Sequence, residues 1–199
     1  MSGGFFPMIG RMRYIQRWGL MRNTQPENIQ EHSHMVAVLA HALALIENTW
    51  FDGQVDPGQV AAAALYHDAE EIITGDLPTP IKYHSTAIRS AYGDVEAAAR
   101  RRLLEMLPPQ LRPAYEEILA IPDPHVAELV KAADKLSAYL KCVEEIKAGN
   151  LEFRLAKEQT YRALADNPLP ALQYFLREML PEFELTLDEL QQGEPGQQA

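Results

Sequence analysis

Apolar side chains recur at helical spacings of three and four along most of this chain, and the strict alternation that marks a half-buried strand is missing. Ile9, Met12, Ile15 and Trp18 repeat every third residue, which predicts a helix over Ile9–Trp18. Ile29, Val36, Leu39, Ala40, Leu43 and Ile46 form one stripe of a longer helix, Ile29–Trp50. Asp56-Pro57 has the form of an N-cap followed by proline at the first helical position. The helix it opens is expected to run through Ala61–Ala64 to about Thr74, with Gly75 as its stop.

Prolines punctuate the rest. Asp76-Leu77-Pro78-Thr79-Pro80 is expected to be a stiff loop, because proline lacks an amide donor and restricts the residue before it. Helices are expected over Ile81–Met106, Leu111–Leu119, Val126–Ala148, Leu151–Ala165 and Leu169–Leu180, with a last turn over Leu185–Leu190. Pro108-Pro109, Pro122, Pro124 and Gly149-Asn150 mark the breaks. Residues 1–192 therefore predict one all-α, single-domain helical bundle, and Gly193–Ala199 a flexible tail.

Composition narrows the setting. With 199 residues, 47% of them apolar, the chain suits one domain with a substantial core. Its longest apolar run, Val60–Tyr66, is far too short for a bilayer, and the N-terminal residues lack the pattern of a signal peptide. Cys142 is the only cysteine, so no intrachain disulfide can form and a cytoplasmic location is expected. The 18 basic and 28 acidic residues give a net charge of −10, which argues against nucleic acid as a partner. A small phosphate ester remains open, since a metal and one or two arginines can reverse the field locally.

The residues that carry chemistry begin with His67-Asp68, set in the apolar segment between Ala61 and Ile73. A buried imidazole and carboxylate need a partner. A divalent metal is one, and the mixed N/O donors suit Zn, Mn, Co, Fe or Ni; a plain His–Asp pair or an ion pair with lysine is the other reading. Two further segments favour the metal. His32 lies four residues before Val36, on the inward stripe of its helix. Asp134 lies mid-helix behind Ala132 and Ala133, which let a neighbour come close. Three helices thus offer ligands to one bundle centre.

The order His32, His67-Asp68, Asp134 resembles the signature of the HD-domain phosphohydrolases. Arg17-Trp18, Glu31-His32-Ser33, Tyr66-His67-Asp68-Ala69, the segment from Gly75 to Pro80, and Tyr139-Leu140-Lys141-Cys142 are similar to the bacterial 5′-deoxynucleotidases of that superfamily. The likeness runs through the first three-quarters of the chain and, more loosely, to Leu187-Asp188-Glu189. It implies hydrolysis of 2′-deoxyribonucleoside 5′-monophosphates to deoxynucleoside and phosphate, one divalent metal (Co, Mn, Zn or similar), an all-α fold and a homodimer.

The resemblance also assigns roles. His32, His67, Asp68 and Asp134 would hold the metal, with Asp68 and Asp134 also bordering the substrate. Glu71 is the expected catalytic acidic residue, helping to activate or deliver the water; Glu70 is read as a solvated helix charge. Arg17 would bind phosphate through paired guanidinium donors and assist catalysis. Trp18 would pack near the sugar and leave no room for a 2′-hydroxyl. Asp76, Leu77, Pro78 and Thr79 would form a preorganised loop around the sugar, Asp76 accepting from its 3′-hydroxyl and Thr79 donating. Each imidazole should donate its other N–H to an acceptor behind it. Glu31, His34, His41, His84 and His125 receive no role, Cys142 is read as a buried thiol and the methionines as core filler. The alternatives are an HD phosphohydrolase for a triphosphate, cyclic nucleotide or alarmone, a non-catalytic nucleotide-binding regulator, and a helical adaptor.

Overall fold

The computed structural model describes residues 3–82 and 84–192; the expected tail over Gly193–Ala199 lies outside them. Eleven α-helices occur among the described residues: α1 (Phe5–Ile9), α2 (Ile29–Trp50), α3 (Pro57–Tyr66), α4 (Glu71–Thr74), α5 (Thr79–Lys82), α6 (Thr86–Glu105), α7 (Arg112–Ala120), α8 (Pro124–Lys147), α9 (Arg154–Ala165), α10 (Pro170–Glu178) and α11 (Leu187–Gln192). No strand is present among them beyond one isolated antiparallel bridge between Gln16 and Asn28. None of these helices is long and apolar enough to cross a membrane.

Capping chemistry explains several starts. Asn28 opens α2 with a reciprocal cap: its side chain accepts from the amides of Gln30 and Glu31, both at 3.1 Å, while Glu31 accepts from the Asn28 amide at 3.3 Å. Glu31 thus has a structural task. Asp56 caps α3 and Asp123 caps α8, each followed by proline at the first helical position. Gly75 ends α4 at φ +75°, a conformation that disfavours side chains.

The core gathers on α2, which packs against α3, α8 and α10. Val36, Leu43, Ala64, Leu129, Leu136 and Leu172 are buried in this one cluster. Phe5, Ala69, Leu103, Leu107 and Leu119 make a second cluster beneath the turn that carries His67 and Asp68.

Several local expectations change; the helix expected over Ile81–Met106, for one, begins at Thr86, after Ser85 caps it in an extended conformation. The segment expected as one helix over Ile9–Trp18 is α1 followed by a 3-10 turn, Gly10–Tyr14; Ile15 is extended, and Trp18 sits at φ +58°. The chain instead pairs locally, the Arg17 amide donating to the Glu27 carbonyl at 2.9 Å and the Ile29 amide to the Ile15 carbonyl at 3.0 Å. The helix expected from Pro57 to Thr74 breaks after Tyr66. The Ala64 carbonyl, which a continuous helix would give to the Asp68 amide, receives the His67 ring Nδ1 at 2.8 Å and the His67 amide at 3.4 Å. Finally, the proline segment is only partly loop, because Thr79–Lys82 forms one helical turn. Pro80 sits early in it, where an amide donor is not needed.

Candidate metal and phosphate site

His32 comes from the first turns of α2, His67 and Asp68 from the turn between α3 and α4, and Asp134 from the middle of α8. One ligand atom from each of His32, His67 and Asp68 lies within 4.8 Å of the others. The fourth expected ligand joins through His32, whose Nε2 is 3.0 Å from Asp134 Oδ1 and 3.7 Å from Asp68 Oδ2. His32 is fully buried, whereas the Asp134 side chain is 42% exposed, so the centre opens to solvent on the α8 side.

Each imidazole is oriented from behind. His32 Nδ1 lies 3.2 Å from Ser137 Oγ, and Ser137 stands three residues after Asp134 on the same face of α8. His67 Nδ1 donates to the Ala64 carbonyl at 2.8 Å. These bonds free both Nε2 atoms to act as ligands. His67 Nε2 is buried, 3.1 Å from Asp68 Oδ2, yet makes no hydrogen bond. A buried nitrogen without a hydrogen-bond partner, facing two carboxylates and a second imidazole, fits a divalent cation of the N/O-binding kind.

The electrostatics agree. Burial opposes the imidazolium of His67, but the charge of Asp68 and then of Asp134 push it up to about 9. Burial also opposes the Asp68 carboxylate, but His67, His32 and Arg17 hold it well below the usual carboxylate range. Asp134 is held down in the same way, chiefly by its hydrogen bond to His32. The site is therefore built to keep both carboxylates ionised.

Arg17 points its Nη1 at Asp68 Oδ2, 3.6 Å away, while its Nε donates to Glu27 Oε2 at 3.0 Å. Trp18 Nε1 donates to that same Glu27 oxygen at 3.0 Å, and the indole rests on Phe153 with ring centroids 5.2 Å apart. Glu71, at the head of α4, is buried with Oε2 lacking a hydrogen-bond partner. Burial, then Asp68 and Asp76, push its carboxyl up to about 9, only partly offset by Arg17 and Lys82.

The expected rim is partly assembled. Asp76 is half-buried and close enough to feel the charges of Arg17, Asp68 and His32; burial raises its carboxyl. Leu77 and Pro78 are half-buried beside it, and the Thr79 side chain lies outside the described residues. Tyr92 of α6 pins the loop by donating to the Gly75 carbonyl at 3.2 Å. Glu70 corrects its expected role: it is buried rather than solvated, and pairs with Arg100 at 3.2 Å. His125 pairs with Glu47 at 2.6 Å, while His34, His41 and His84 are exposed. Cys142 is fully buried, its thiol pushed up to about 12 by burial. The methionines are mixed, Met12 in the core and Met35 exposed. The sequence did not single out Glu27 or Ser137. Ser137 could have been found from its spacing after Asp134, whereas Glu27 carries no such signal.

The family described as 5′-deoxynucleotidase YfbR-like matches residues 4–183. A 5′-deoxynucleotidase of Vibrio parahaemolyticus is 47% identical over 188 residues, covering 94% of this chain and 97% of that protein. One from Vibrio cholerae is 49% identical over the same shares. Among solved structures, an HD-domain phosphohydrolase from Listeria innocua superposes with a TM-score of 0.78 at 23% identity, covering 90% of this chain and 87% of that one. An HD phosphohydrolase of cyanophage S-2L, bound to dA and one catalytic Zn2+ ion, superposes at 0.61 with 28% identity, covering 89% and 93%. With the family model spanning residues 4–183, relatives 47–49% identical over nearly the whole chain and the all-α fold shared with HD-domain phosphohydrolases, the chain belongs to the YfbR-like 5′-deoxynucleotidase family.

Proposed function

We propose that the chain removes phosphate from 2′-deoxyribonucleoside 5′-monophosphates at one divalent metal held by His32, His67, Asp68 and Asp134. The observation that carries this reading is the buried, unbonded Nε2 of His67, set among a second imidazole and two ionised carboxylates with an arginine turned towards them. The two carboxylates would balance the charge of a dication. When bound, such a metal polarises a phosphoryl oxygen and lowers the pKa of water. The donor set suits Co, Mn or Zn.

The chain's own residues do the rest. Arg17 offers its Nη side to the phosphate oxygens, and its charge compensates the dianion in an acidic protein. Burial raises the Glu71 carboxyl, which suits it to donate a proton to the departing 5′-oxygen as well as to the activation or delivery of water expected from sequence. Trp18 would wall off the 2′ position, and Asp76 and Thr79 would take the 3′-hydroxyl. Leu77 and Pro78 shape the loop between them. Phosphate release from dAMP with added metal, compared between the wild type and Asp134→Ala, tests the assignment: loss in the variant supports it, and retention sinks the ligand set.

The acidic surface speaks against nucleic acid, and the free buried Cys142 is compatible with a cytoplasmic setting. A homodimer is the assembly we favour. Exposed Met35, Val38 and Leu45 form an outward stripe on α2 that a second copy would cover, an alternative to the α9–α10 face suggested by sequence.

A further inference from the structure

Trp18 lies on an irregular segment, and its backbone occupies the left-handed region at φ +58°. A bulky residue there is strained and persists only where its surroundings over-determine it. A wall that rejects an added hydroxyl must also be rigid, since sterics alone discriminate weakly. The rigidity has a visible source. Glu27 Oε2 accepts from both Trp18 Nε1 and Arg17 Nε, each at 3.0 Å, and the Glu27 carbonyl accepts from the Arg17 amide at 2.9 Å.

Glu27 is itself anchored. Just before it, the amides of Thr24 and Gln25 donate to the buried Glu145 of α8 at 2.9 Å and 3.2 Å, and Lys141 Nζ donates to the Gln25 carbonyl. Just after it, Asn28 caps α2. The carboxylate therefore stands on two fixed elements. It holds the Nε side of Arg17, while Nη1 faces Asp68.

We propose that Glu27 is the positioning residue that sets the preference for a 2′-deoxy sugar, by locking the Trp18 indole and the Arg17 guanidinium into one unit. This rests on the reading of the chain as a deoxynucleotidase with Arg17 at the phosphate and Trp18 at the sugar. Glu27 touches neither; it acts through the two side chains it holds.

The test uses the full chain with manganese or cobalt, and measures kcat and KM for dAMP and AMP. Glu27→Ala is expected to lower the dAMP-to-AMP ratio of kcat/KM about tenfold or more, the loss of hydrogen bonds to a charged acceptor. A rise in KM shared by both substrates reports Arg17, whereas the fall in ratio reports Trp18. Glu27→Gln keeps an acceptor oxygen and is expected to retain most of the ratio. Trp18→Phe, which keeps a ring but loses the indole N–H, should lower the ratio as well, and this holds whether or not Glu27→Ala folds. An unchanged ratio in either Glu27→Ala or Trp18→Phe overturns the proposal, as does a fall in kcat alone common to both substrates. A second readout needs no turnover. With Trp50→Phe, Trp18 is the sole tryptophan, and acrylamide should quench it more readily in Glu27→Ala; equal quenching overturns the proposal. If wild type hydrolyses neither nucleotide, the deoxynucleotidase reading fails, while the quenching result still decides whether Glu27 locks Trp18.

Discussion

His67 shows how one side chain serves both fold and chemistry. Its Nδ1 takes the Ala64 carbonyl, which breaks the helix, and the same bond fixes the tautomer and turns Nε2 towards Asp68. Glu71 sits one turn further on, where burial and the charges of Asp68 and Asp76 push its carboxyl up. Glu71→Gln is expected to reduce kcat by about 10²–10⁴-fold, the range typical of proton-transfer catalysis, with KM for dAMP little changed; steady-state kinetics at saturating metal would show it. A kcat near wild type would remove Glu71 from the reaction. The candidate ligands were legible because each stands in a periodic helix or beside a sharp motif: His32 on the stripe of Val36 and Leu43, Asp134 behind two alanines. The orientation of Arg17 was not legible. It depends on Glu27, ten positions away on an irregular segment, which no periodic rule connects to it. Glu70 was misread for a related reason, since its partner Arg100 comes from α6.

At the scale of elements, the segment between α1 and α2 is held by groups on and just beyond α8. Glu145 is buried and accepts from Lys141 at 2.5 Å, Thr24 Oγ1 at 2.7 Å and Asn150 at 2.8 Å. Removing it leaves Lys141 buried and uncompensated, so Glu145→Ala is expected to cost about 3–5 kcal/mol, read by urea denaturation. A loss below about 1 kcal/mol, the scale of an exposed pair, would contradict this. Burial alone would raise the Glu145 carboxyl, but these donors, Lys141 first, hold it well below its ordinary 4.5. A group depressed in the folded state stabilises above its unfolded pKa and loses that contribution as pH falls. Wild type should therefore weaken below about pH 4.5 in a way that Glu145→Gln does not; parallel acid transitions would contradict it. The long helices α2 and α8 were readable from their caps and stripes. The break at 67–70 was not, because it has no proline or glycine and arises from a side chain competing for a backbone carbonyl.

For the molecule as a whole, α2 is the hub: it carries His32 inward and packs on α3, α8 and α10, of which α8 carries Asp134 and Ser137 and α3 supplies the Ala64 carbonyl behind His67. The bundle class followed from the absence of alternation and the spacing of prolines, whereas the meeting of four side chains from three parts of the chain needed the tertiary packing. Because the metal would bind the folded state alone, adding Co or Mn to chelated protein should raise the melting temperature, and Asp68→Ala should abolish that rise. The exposed stripe on α2 predicts a dimer by sedimentation, and Leu45→Glu should shift it to monomer; a monomeric wild type at all concentrations would contradict the dimer. The most direct test of the central claim is catalytic. Chelator-treated protein is assayed for phosphate release from dAMP, dGMP and TMP beside AMP and GMP, with Co, Mn, Zn or Mg added back singly and Asp68→Ala in parallel. The account predicts hydrolysis of the deoxy substrates only, restored by metal and lost in the variant. Equal turnover of ribo and deoxy substrates would contradict the role of Trp18, and no phosphate with any metal would contradict the site itself.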